Sequence, residues 1–197
     1  MIKFCIYILK RNAYFLLAAA WLFTIAFIID NYFAGASSAP YLRKVIEERL
    51  KRLEKRTDQI AKDTTLLKVL AEGSYGAEQL NKISSEDLGI FIYKPAQFDN
   101  WSLTFWSNQE IEPTTDIIYS RNNYRLINLQ NGQYEYIRKI IPLARENLLL
   151  VALLPVRKEY FVQNKNLQKQ FVGFPNAENS VGVTETPTDY PVYNQSG

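Results

Sequence analysis

The residues best equipped for chemistry lie between 101 and 138: Trp101, Trp106, Tyr119, Tyr124, Tyr134 and Tyr136, with Arg125 and Arg138 among them. Aromatic rings give a small-molecule pocket apolar walls with polar tips, and a guanidinium fork fixes a carboxylate. Within this group Trp106, Tyr124, Arg125, Tyr136 and Arg138 are the candidate ligand-binding residues. The competing reading puts the same side chains in a sheet core and on exposed strand faces. The carboxylates offer less. Glu47, Glu48 and Glu54 read as solvated ion-pair partners on a helix, Asp99 and Asp116 as turn formers, and no paired-carboxylate cleft is visible. Gly73-Ser74-Tyr75-Gly76 lacks the strand context of a phosphate-cradling loop and is assigned no ligand. Asn100-Trp101-Ser102 and Asn194-Gln195-Ser196 match the glycosylation acceptor pattern, which is common by chance.

Two absences narrow the chemistry further. The 197 residues contain no His and one Cys, Cys5. Ser/His/Asp and Cys/His catalysis, His-ligated metals, a phosphoacceptor histidine, an intrachain disulfide and a Cys-based zinc site are thereby excluded within this sequence. No cofactor and no metal is expected. Lys+Arg (23) and Asp+Glu (20) nearly balance, which argues against a nucleic-acid partner.

The elements that would position these residues begin at the membrane. Ala13 to Ile29 is apolar apart from Thr24, long enough for a spanning helix, with Lys10 and Arg11 before it and Asp30 and Asn31 after it. A cleaved signal peptide competes, since Ala34-Gly35-Ala36 offers small residues, but the apolar run exceeds the usual signal core. A buried globular helix would need a polar face, and this run has none. Lys10 and Arg11 abut the run, so residues 1–12 are expected in the cytoplasm, 13–30 in the cytoplasmic (inner) membrane and the main domain outside it.

A long helix is expected over 38–72, started by Ser37, Ser38 and Pro40. Ile46, Leu53, Ile60 and Leu67 repeat at heptad spacing, with Leu50, Thr57, Thr64 and Ala71 as a weaker second seam. That stripe either covers a sheet in its own domain, or its first half pairs with a second copy while its latter half packs on the domain; a homodimer is expected through the membrane and stalk helices. From residue 88 the pattern turns to strands: Gly89–Lys94, Leu103–Ser107, a short Ile117–Tyr119, Tyr124–Leu129, Gln133–Ile141 and the apolar run Leu148–Leu154. Asn131-Gly132 is a hairpin signal, and Pro142 and Pro155 bracket the last strand. Tyr160–Phe171 reads as a short polar helix or a lid. The fold class is α+β, an antiparallel sheet of about five strands over 73–172, PAS-like or Cache-like in size and order. Residues 173–197 read as a flexible tail or linker.

GIFIYK at 89–94, LTFWSN at 103–108, NGQYEYIRKI at 131–140 and LLLVALLPVRKEYFVQNKNLQKQF at 148–171 follow a spanning segment and a basic helix. In that order they resemble the N-terminal extracytoplasmic region of bacterial transmembrane sensor histidine kinases. The resemblance implies the sensor, or input, part of a two-component signalling protein, answering to an unknown small ligand or protein signal. The sequence holds no second span, no phosphoacceptor His and no nucleotide-binding glycine motif, so this chain is expected to be non-catalytic, with kinase parts beyond residue 197. A bitopic assembly or scaffold protein is the alternative, and an anchored enzyme the third reading.

Overall fold

The computed structural model describes residues 13–36, 39–83, 88–144, 146–160, 170–174 and 182–193. The chain divides into two compact units, Met1–Leu42 and Arg43–Gly197. In the first, helix α1 (Ala13–Ala36) runs for 24 residues. Its large apolar side chains lie open on every side of the helix: Tyr14, Phe15, Leu17, Trp21, Leu22, Phe23, Phe27 and Ile28 are all more than half exposed. Counted over described side chains, which in α1 end at Ile29, no helix is long and apolar enough to cross a membrane.

The second unit is α+β. Helix α2 (Ala39–Lys62) is followed by α3 (Thr64–Ala71) and α4 (Ala77–Ile83). The single helix expected over 38–72 is therefore broken at Asp63. Its carboxylate accepts the Leu66 amide at 3.0 Å and caps α3, while its own N–H closes the last turn of α2 on the Ile60 carbonyl. A side chain that competes for backbone donors starts a new helix more readily than it continues an old one. The heptad stripe is spent inside the protomer: Ile46, Leu50, Leu53, Ile60 and Leu67 are buried. Thr57, fully buried in the same stripe, satisfies its hydroxyl on the Leu53 carbonyl at 2.9 Å.

The sheet comprises β1 (Gly89–Pro95), β2 (Trp101–Trp106), β3 (Tyr124–Leu129), β4 (Gly132–Pro142), β5 (Asn147–Lys158) and the two-residue β6 (Gln170–Phe171). The order is β2-β1-β5-β4-β3, with β6 on the end of β5, and every pairing is antiparallel. The segment expected as a strand at Ile117–Tyr119 is instead a helical turn, α5 (Thr115–Ile118). Ile117 and Ile118 drop from it onto the sheet, so the apolar pattern there reports burial, not pairing. Residues 161–169, most of the expected polar helix or lid, lie outside the described residues.

Pro155 does not end the last long strand, which continues to Lys158. It sits opposite Tyr134 beside a register shift at Gln133/Tyr134, the irregularity at which a residue without an N–H is tolerated inside a sheet. The Asn131-Gly132 hairpin joins β3 to β4 with Leu129 opposite Gly132. Gly132 has φ +146, and a Cβ on it would meet the Arg157 carbonyl oxygen at 2.0 Å, so only glycine lets β4 and β5 approach there.

The pleat divides the sheet into two faces. One carries Phe91, Tyr93, Tyr134, Tyr136, Leu149, Val151 and Leu153 and is roofed by α5 with Trp101, Leu103 and Ile111. The other carries Ile90, Ile92, Glu135, Ile137, Ile141, Leu148, Leu150 and Ala152. Side chains of α2 reach the sheet: Arg49 donates to the Pro155 carbonyl and Asp58 pairs with Lys139. β5 lies at the centre, buried from Leu148 through Arg157.

Candidate functional site

The five aromatic and arginine candidates do not converge. Trp106 ends β2, one edge of the sheet, while Tyr124 and Arg125 begin β3, the other. Four strand spacings of about 4.8 Å separate those edges by about 19 Å. The pleat separates them again. Arg125 pairs opposite Tyr136 on the α5-roofed face, whereas Tyr124 pairs opposite Ile137 on the other. Tyr136 is buried with its hydroxyl 2.8 Å from Ser120 Oγ, and Arg138 Nε donates to the Ile118 carbonyl at 3.0 Å. Both bonds tie the roof to the sheet.

Arg125 and Tyr136 do share a groove of about 530 Å³ on the roofed face. The chain's own tail lies along it. Arg125 grips Glu185 with two parallel bonds, Nε to Oε1 at 2.7 Å and Nη2 to Oε2 at 2.8 Å, and Gln133 Nε2 donates to the Val183 carbonyl at 3.1 Å. The guanidinium holds the Glu185 carboxyl below its usual range. A carboxylate thus occupies this arginine, and it comes from residues expected to form a free linker. Farther on, Arg43 stands over the Tyr193 ring at 5.9 Å.

A second cleft, also about 530 Å³, opens where α2 meets β3 and β4. Glu54, Asp58, Tyr124, Glu135, Arg138 and Lys139 line it with Ile137, Ile140 and Ile141. Here the expectation for Glu54 fails. It is not solvated: it is 6% exposed and faces Glu135, itself 8% exposed. Glu54 Oε1 and Glu135 Oε2 are both sealed from solvent, and Glu135 Oε2 accepts no hydrogen bond among the described residues. Burial first, then the Glu54 charge and a hydrogen bond between the carboxyls, push the Glu135 carboxyl up to about 7. A paired-carboxylate cleft therefore exists where none was expected.

The signal for it was in the spacing. Glu54 stands four residues after Leu50 and next to Leu53, on the apolar stripe, and Glu135 alternates with Tyr134 and Tyr136 on the face of Ile137 and Ile141. An acid at an inward register is costly unless paired or protonated, and here two such acids face each other. Asp58 is spent on Lys139. Among the described residues, no group of three or more acids, His or Cys could hold a metal ion.

Compared with known proteins, the chain matches no family model, no curated protein and no solved structure.

Proposed function

We propose that this chain is a membrane-anchored, extracytoplasmic input module, the sensor region of a signal-transducing histidine kinase. The observation that carries the anchoring is α1, whose large apolar side chains are exposed around its whole circumference. Burying one such side chain is worth roughly 1.5–3 kcal/mol, so eight of them left in water would cost well over 10 kcal/mol, comparable with a domain's net stability. A bilayer removes that cost. Tyr14 and Tyr32 stand near the two ends of the apolar run, where aromatic belts lie. The sensor assignment rests on the resemblance and on an antiparallel sheet with a long helix leading into it. With the α2 stripe taken up by the protomer, a homodimer would form chiefly through α1.

The single cysteine tests the orientation. Expressed in a bacterium, the chain should stay with membranes through an alkaline carbonate wash. Cys5 should resist a membrane-impermeant maleimide in intact spheroplasts and react after permeabilisation. Extraction by carbonate, or labelling of Cys5 from outside, would overturn the reading. The input role is tested on the detergent-purified chain: a small solute that raises Tm by several degrees supports it, whereas a stoichiometric co-purifying protein and no such shift supports an assembly role.

A further inference from the structure

We infer that Glu54 of α2 and Glu135 of β4 form a single proton-binding site that clamps α2 to the sheet when occupied and loosens the seam when empty. The two residues come from different elements, are more than nine-tenths buried, interact with each other, and line the same cleft between α2 and the β3–β4 edge. Both ionised, they would place two negative charges in a low-dielectric seam with one oxygen of each sealed from water. With one proton between them, an O–H forms on one carboxyl and donates to the other carboxylate, so a repulsion becomes a charge-assisted hydrogen bond. The proton comes from solvent and returns to it by way of the cleft; nothing else is consumed.

A larger cation fits less well. Lys139 and Arg138 line the same cleft and would repel it, and the sealed oxygens are out of its reach. Among the described residues, the other charged groups nearby have partners of their own. Asp58 of α2 is paired with Lys139 of β4, and Arg138 donates to the Ile118 carbonyl. Arg49 of α2 donates to the Pro155 carbonyl, and Arg157 of β5 lies over the Phe171 ring at 5.0 Å. Tyr124 of β3 also lines the cleft. The inference lies wholly within residues 43–197 and stands whether or not the chain is an anchored sensor.

The experiment is a pH titration, from 4.5 to 8.5, of the full chain in detergent micelles carrying 13C-carboxyl glutamate. One glutamate resonance should titrate with a midpoint near 7, vanish in Glu135→Gln, and move down by at least a pH unit in Glu54→Gln. If every glutamate titrates below pH 5.5, or the late transition survives Glu135→Gln, there is no shared proton. Hydrogen exchange reads the clamp. Protection of the Leu53–Thr57 amides, corrected for intrinsic rates, should fall at least tenfold from pH 5.5 to 8.5 in the wild type and stay level in Glu135→Gln. Equal protection at both pH values in the wild type would overturn the clamp even if the proton is found.

Discussion

One buried acid, Glu135, makes its own pH-dependent contribution to the stability of this protein. Glu135 in the folded state holds its proton up to about 7, against 4.5 for the free side chain. The folded chain therefore binds more protons than the unfolded chain between those values, and stability falls as pH rises through that window. The full stabilisation is present below about pH 4.5 and is gone above about 7. The size is on the order of 3 kcal/mol, from about 1.4 kcal/mol per pKa unit. Urea unfolding should show this decline in the wild type; Glu135→Gln should remove it and be the more stable protein at pH 8. A wild-type profile that rises with pH over the same window would contradict the burial of Glu135. At this scale the sequence was partly readable. The alternation around Glu135 and the stripe around Glu54 each pointed inward, but nothing in one dimension says that two inward registers, 81 residues apart, meet. Trp106 and Arg125 lie apart for the mirror reason: strand order and pleat divide a plausible set of side chains.

The strands were the most legible elements, and the breaks in them the least. The Asn-Gly hairpin and the apolar β5 run stood out because turn chemistry and double-sided burial leave local marks. The cap at Asp63 and the bulge that accommodates Pro155 did not, since each depends on a neighbour supplied by the fold. The tail shows the same limit. Its composition suggests a free linker, yet Glu185 and Val183 are tied to β3 and β4 by Arg125 and Gln133. An exposed ion pair holds weakly, so this strap should lift easily. Arg125→Ala should leave Tm nearly unchanged while a glutamyl protease cuts after Glu185 faster, by about threefold or more, because cleavage follows local opening and not global unfolding. An unchanged cleavage rate would mean that the tail owes its place to something other than this pair.

For the molecule as a whole, the two units carry opposite surfaces: α1 shows apolar side chains, while residues 43–197 bury theirs around one sheet. Residues 39–197 expressed without α1 should be soluble in plain buffer, with a Tm within a few degrees of the full chain in micelles. Aggregation of that shortened chain would show that the sheet unit needs the first helix to fold. The central place of β5 has a further outcome for biogenesis. β1 waits for a partner emerging some sixty residues later, since Gly89 pairs with Leu153, and β4 also leans on β5. While the ribosome is still short of residue 158, the nascent polypeptide can make its two local hairpins but cannot join them. Both then present raw edges, so a stall before β5 would leave the half-made product dependent on a chaperone or prone to aggregate.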